Sequence, residues 1–208
     1  MTGFVLHTAE NAPEASKHRL ARSHRQLGFV PNLFAVQAEA PALLEGFQTL
    51  SAIFARSSLT PIEREVVLLT ASYENECSYC IAHHSAIAEQ RNAPEELVLA
   101  LREGQPLPDP KLEALRDFTR AVVRGRGRVG KPKIRVLRTV GYGRQQILEV
   151  ILGVALMVMS NYTNRFAQTP LEDALSAFAW VRARPGRLPS GGSAPSARKL
   201  GEREPNRS

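Results

Sequence analysis

The run 147–159, ILEVILGVALMVM, is apolar almost all the way round a helix, interrupted only by Glu149 and Gly153. A helix of this kind needs cover on every side, from its own core or from another subunit. Its apolar part, Val150 to Met159, is ten residues long, too short for a bilayer crossing that takes roughly 20. The expected cover is burial against the chain's other helices and partly at an oligomer interface. From Pro13 to about Phe178 there is no sustained apolar/polar alternation and no Asn-Gly or Asp-Gly hairpin turn. The expected fold class is all-α, with helices over 13–26, 40–55, 61–74, 78–90, 94–102, 110–124, 132–139 and 143–163 and a short one over 171–179. Thr60-Pro61-Ile62-Glu63 marks one start sharply: Thr60 caps, Pro61 takes the first helical position and Glu63 completes a capping box. Pro94 marks another start, without a side-chain cap at Ala93. The two methionines of the apolar run, Met157 and Met159, read as core filling.

Three segments follow: a flexible N-terminus over 1–12, a helical domain over 13–180, and a Pro/Gly/Ser/Arg-rich tail over 181–208 with too little apolar surface to order itself. The net charge of +7 sits mostly in that tail, which holds seven Arg/Lys against Glu202 and Glu204 and leaves about +2 for residues 1–180. A nearly neutral folded part argues against a nucleic-acid partner. The eight Arg/Lys between Arg120 and Arg138, with no acid among them, read as a solvated loop and helix face, and no aromatic residue is interleaved for base stacking. Gly125 to Pro132, GRGRVGKP, imitates a phosphate-binding loop, but Pro132 stands where Ser or Thr would bind magnesium and no strand precedes it. Two cysteines and no leader-like stretch place the protein in the cytoplasm, with no membrane association expected.

Those two cysteines lie in NECSYCIAHH, residues 75–84. On a helix beginning at Cys77, Cys80 falls near 300° and His84 near about 340°, on one face with Cys77, while His83 falls near about 240°. Cysteines three apart in a first helical turn come within disulfide reach, and a helix N-terminus favours the thiolate. His84, one turn on, is placed to take a thiol proton or to stabilise the thiolate as imidazolium. In the preceding helix the apolar stripe is Ile62, Val66, Leu69 and Tyr73. Glu65 lies on its shoulder near about 300°, while Glu63 and Arg64 point away near about 100° and 200° and read as solvated charges. Glu65 has two readings, an ordinary surface carboxylate or a partly buried one that passes protons.

Cys77, Cys80 and His84 are also acceptable zinc ligands, but no fourth ligand with paired spacing accompanies them. Haem attachment fails because Ile81 follows the second cysteine, and a thioredoxin-like motif fails because no βαβ pattern surrounds it. A scaffold with inert cysteines is the third reading.

Glu65, eleven intervening residues, and then Cys77-Ser78-Tyr79-Cys80-Ile81-Ala82-His83-His84 resembles the Glu…CxxCxxxHis signature of the AhpD-like alkylhydroperoxidases in the carboxymuconolactone decarboxylase superfamily. The stretches 29–47, 59–72 and 160–175 are similar to its peroxidase-related branch, so the resemblance covers about residues 20–178. It implies an AhpD-like all-α fold, a homo-oligomer, and reduction of organic hydroperoxides by a dithiol without cofactor or metal. Cys80 would attack the peroxide, Cys77 would resolve the sulfenic acid as a disulfide, and Glu65 and His84 would relay protons. An external dithiol, in this family lipoyl-linked, would reopen the disulfide. Tyr79 departs from the pattern, standing where the best-known members carry a second histidine; a phenol with a pKa near about 10 is a poor relay at neutral pH, so Tyr79 is at most an accessory residue. The alternatives implied are a general disulfide oxidoreductase and a non-catalytic zinc-binding or scaffold member.

Overall fold

Thr60 forms the capping box that its spacing predicts. Its hydroxyl accepts from the Glu63 amide at 3.2 Å, and the Thr60 amide donates to the Glu63 carboxylate at 2.8 Å. The helix it starts is the fourth of nine in a computed structural model that describes residues 3–182. In chain order these are α1 (Glu14–Leu27), α2 (Asn32–Gln37), α3 (Pro41–Phe54), α4 (Pro61–Glu74), α5 (Ser78–Gln90), α6 (Glu95–Glu103), α7 (Pro110–Gly125), α8 (Lys131–Thr139) and α9 (Arg144–Ala167). A 3-10 helix, Asp173–Phe178, follows. The described residues contain no strand. The fold is therefore all-α as expected. The segment over 171–179 winds as 3-10, and α2, six residues behind Pro31, is too short to print a helical period on the sequence.

Helix α4 is the axis of the core. Val66, Val67, Leu69 and Ala71 are buried, and the helix packs against α5, α6, α7 and α9. Helix α9 crosses α3 and α4 at Gly153, where a Cβ would lie 2.7 Å from Phe54 and 2.8 Å from Val67; the glycine is what lets these helices close. A smaller cluster of Ala12, Leu20, Ala38 and Leu44 ties α1 to α3.

One expectation needs correction. Glu63 is not a solvated charge: it is buried, accepting from the Tyr142 hydroxyl at 2.8 Å and pairing with Lys111 at 2.9 Å. A wheel angle measured within one helix is blind to Tyr142, which arrives from just before α9. The apolar run of α9 is covered by this chain on one face. Val150, Leu156 and Met157 face the core, whereas Leu148, Ile151, Tyr162 and Phe166 are exposed. The helix reaches 24 residues, so by length and composition alone it is long and apolar enough to cross a membrane, although one face of it packs against α2, α3, α4, α5 and α7.

Residues 3–12, expected as a flexible arm, carry no helix but lie against the fold. The Phe4 ring meets Phe166 edge-on at 5.6 Å, and His7 pairs with Glu39 at 2.6 Å. The disordered tail expected from 181 onward lies, apart from Val181 and Arg182, outside the described residues.

Candidate active site

The chain leaves α4 through Asn75 and Glu76, the latter at φ +53°, and re-enters a helix at Cys77. Two ties hold this turn. Arg165 of α9 donates to the Asn75 carbonyl at 2.8 Å, and Arg182 pairs with Glu76 at 2.6 Å. Cys77 then serves as N-cap of α5, its sulfur accepting from the Cys80 amide at 3.3 Å in the place usually taken by a Ser, Thr or Asp oxygen. Cys80 stands three residues into the same turn, 1% exposed. Both cysteines are free thiols.

Helix α9 crosses beneath them with polar residues on its otherwise apolar inner face. Asn164 Nδ2 donates to Cys80 Sγ at 3.2 Å, and the Ser160 hydroxyl lies 3.3 Å from the same sulfur. Asn161 bonds to Asn75 at 2.9 Å and to Ser72 at 3.2 Å, fastening α9 to the end of α4. Burial works against a thiolate at Cys80, but hydrogen bonding from Cys77, Ser160, Asn164 and Asn161 outweighs it and brings the pKa down to about 6. Cys77 moves the other way, raised by its hydrogen bond to Cys80 and then by burial. Of the two, Cys80 is the more acidic thiol.

Glu65 and His84, 19 residues apart on consecutive helices, meet in the structure. His84 Nδ1 lies 2.9 Å from one Glu65 oxygen, and Arg91 Nη1 donates to the other at 2.7 Å. Glu65 is 3% exposed, so it is the buried carboxylate and not the surface one. Burial disfavours the imidazolium at His84, yet the Glu65 charge and hydrogen bond prevail and raise its pKa above the ordinary value. Among the described residues His84 bonds to Glu65 and to neither thiol. It stands one turn along α5 from Cys80, on the same wall of a cavity of about 540 Å³ that both line.

That cavity is walled by Phe29, Phe34, Phe47, Phe54, Leu68 and Leu156 and is apolar over most of its surface. Cys77 does not line it. His83 does, and the wheel reading set it aside because the angle was measured from Cys77; measured from Cys80 it is one turn away. Its ring stacks on Tyr79 at 6.1 Å, and burial lowers its pKa to about 4, so it is neutral in ordinary buffers. The Tyr79 hydroxyl donates to Glu172 at 2.6 Å and accepts from the Leu33 amide at 3.3 Å, while Glu172 also accepts from the Asn32 amide at 2.7 Å. Burial and the Glu172 bond raise the Tyr79 pKa. Tyr79 thus clamps the start of α2 and the C-terminal segment over the site, and it titrates too high to shuttle protons.

Sequence reasoning missed Ser160, Asn161, Asn164 and His83. The signal for the first three was present as polar residues spaced one turn apart on a helix whose other inner positions are apolar. No group of three or more His, Cys, Asp and Glu side chains converges to hold a metal among the described residues. What is assembled is a buried thiol of lowered pKa, a second thiol three residues before it, and a carboxylate-held imidazole one turn along the same helix, all beside a mostly apolar chamber.

Residues 41–121 match the carboxymuconolactone decarboxylase family. No curated protein sequence matches the chain. Among solved structures, an alkylhydroperoxidase AhpD core, peroxidase-related protein from Ralstonia eutropha JMP134 superposes with a TM-score of 0.73 at 22% identity, over 83% of this chain and 93% of that one. A peroxidase-related protein from Silicibacter sp. TM1040 gives 0.69 at 22% identity, over 79% and 88%. The debrominase Bmp8, whose C82A variant was solved with 2,3,4-tribromopyrrole, gives 0.65 at 22% identity, over 74% and 84%. The part of the chain that holds Glu65, Cys77, Cys80 and His84 thus matches the carboxymuconolactone decarboxylase family, and the fold is similar to that of the AhpD core.

Proposed function

We propose that the protein is a thiol peroxidase that reduces organic hydroperoxides through Cys80 and Cys77. The observation that carries this reading is the asymmetry of the pair. Cys80, hydrogen-bonded by Asn164 and Ser160, lines the cavity as the more acidic thiol, and Cys77 waits behind it with its proton. In the first step the Cys80 thiolate attacks a peroxide oxygen and the O–O bond breaks. The alkoxide leaves and takes a proton to become the alcohol, and Cys80 becomes a sulfenic acid, oxidised by two electrons. His84, whose imidazolium Glu65 favours, stands one turn from Cys80 on α5, supplies that proton and recovers it from solvent. The Cys77 sulfur then attacks the Cys80 sulfur, water leaves with the Cys77 proton and the released hydroxyl, and a disulfide remains. An external dithiol, lipoyl-linked by the family resemblance, reopens it by exchange and restores both thiols. A reducing compartment such as the cytoplasm suits that cycle. Steady-state consumption of cumene hydroperoxide with dihydrolipoamide tests it: the wild-type protein turns over and Cys80→Ser does not. Activity retained in Cys80→Ser contradicts the reading.

A second reading has its own observation, the aromatic wall of the cavity around the thiolate. Such a chamber suits a halogenated ring as the debrominase does: a C–Br bond is replaced by C–H, the dithiol is oxidised to the disulfide, and bromide and a proton are released. Bromide release from 2,3,4-tribromopyrrole under reducing conditions, with no turnover of cumene hydroperoxide, selects this reading over the first.

A further inference from the structure

The cavity has two chemically different ends. Along α5 it is lined in turn by Cys80, His83, His84, Ile87, Gln90 and Arg91, a face that spans about 16 Å from the first to the last at 1.5 Å per residue. The Cys80 end is closed, whereas Gln90 and Arg91 are exposed, as are Leu27 and Phe29 beside them on the wall. Helix α4 runs antiparallel to α5, and Arg91 reaches its start, bonding to Glu65 at 2.7 Å and to the Pro61 carbonyl at 3.4 Å. This places Arg64 at the open end.

Arg64 is half-buried and lines the cavity. One of its nitrogens donates to the Leu59 carbonyl at 2.5 Å, and no carboxylate pairs with it among the described residues. The nearest carboxylate, Glu65, is already divided between Arg91 and His84. Burial and the neighbouring Arg91 accordingly hold the Arg64 pKa below its usual value. A second cleft of about 530 Å³ shares Gln26, Leu27, Phe34, Ser51 and Ala55 with the first and adds Arg22 and Arg56. Neither of these arginines is ion-paired among the described residues, while Arg19 in the same cleft is taken by Glu45. The mouth therefore carries uncompensated positive charge, and the chamber behind it is mostly apolar, with Glu65, His83 and His84 on the wall between the mouth and the sulfur.

We infer that the site takes an elongated substrate with a carboxylate at one end and an apolar body, of the class of fatty-acid hydroperoxides. Arg64 holds the carboxylate at the mouth, where a guanidinium donates two parallel hydrogen bonds that screening by salt reaches poorly. Phe34, Phe54 and Leu68 cover the body, and the reactive group reaches Cys80. The identity of that reactive group rests on the peroxidase reading; recognition of the carboxylate does not.

The test uses unreactive probes on the reduced full-length protein: decanoate and 1-decanol, which share a chain and differ in charge, measured by titration calorimetry at fixed ionic strength. Wild-type protein is expected to bind decanoate about tenfold or more tighter than the alcohol, the usual worth of a hydrogen bond to a charged group. Arg64→Gln collapses that ratio towards one, and Arg64→Lys, which keeps the charge, restores part of it and separates lost recognition from damaged folding. Absence of decanoate binding, equal affinity for the two probes, or a ratio unmoved in Arg64→Gln overturns the inference. Since neither probe holds an O–O bond, failure of the peroxidase reading shows elsewhere, as absent hydroperoxide turnover.

Discussion

At the scale of the residue, the reactivity of Cys80 is set by groups far from it in sequence. Asn164 and Ser160 reach its sulfur from α9, across 84 and 80 positions. Because its folded pKa is depressed to about 6, the thiolate fraction, and with it the oxidation rate, should climb through that pH and level off by about 7 to 8. Asn164→Ala removes a donor and moves the inflection of the pH–rate profile upward, towards the ordinary thiol value near about 8.5, with roughly a tenfold slower reaction at pH 6 to 7. An unmoved inflection would show that Asn164 only packs there. Glu65→Gln acts one helical turn away, through His84. A histidine with a raised folded pKa adds stability that is complete below its unfolded value and is lost as pH climbs through the folded one. The stability gap between wild type and Glu65→Gln, measured by urea unfolding, should therefore be widest below about pH 6.5 and narrow at higher pH. A gap independent of pH contradicts the pairing. Glu65 and His84 were legible in the sequence because each sits on the inward shoulder of a helix and the two helices are joined by a tight turn. Asn164 and Glu63 were not, because what meets them comes from a distant segment that no local spacing encodes.

At the scale of the element, the ends of α4 and α5 were readable to the residue. Thr60, Pro61 and Glu63 start α4 by local chemistry, and Cys77 starts α5 with its own sulfur. Helix α9 was readable only in part. Its apolar run marks a helix, but the run says nothing about which face each neighbour covers, and the buried glycine within it becomes intelligible only when Phe54 and Val67 are seen against it. Gly153→Ala would put a methyl group inside both contacts. We expect thermal unfolding to show a loss of about 1–3 kcal/mol from overpacking. Because Phe54 also lines the cavity, the same substitution should weaken decanoate binding. Wild-type stability in Gly153→Ala would mean that α3 and α9 cross less tightly than described.

At the scale of the whole molecule, one surface is unfinished within a single chain. Leu148, Ile151, Ala155 and Tyr162 recur along the outer face of α9 at the spacing of a helix seam, with Phe166 at its end. We expect this stripe to seat a second copy, giving the homo-oligomer implied by the family resemblance. Light scattering on the purified protein should report a mass that is a multiple of the chain, and Ile151→Glu should reduce it to one chain without loss of helicity. A wild-type monomer contradicts that expectation. The same stripe is also what makes α9 apolar enough to pass for a membrane helix on length and composition, so a mass close to that of an oligomer in detergent-free buffer would account for both observations at once.

The central claim, that Cys80 attacks and Cys77 resolves, is tested most directly by intact mass of the fully reduced protein before and after one equivalent of cumene hydroperoxide, without oxygen. The account predicts rapid loss of two hydrogens in the wild type, gain of one oxygen in Cys77→Ser, and no change in Cys80→Ser. An unchanged wild-type mass, or a Cys80→Ser protein that is oxidised as fast as the wild type, would contradict it.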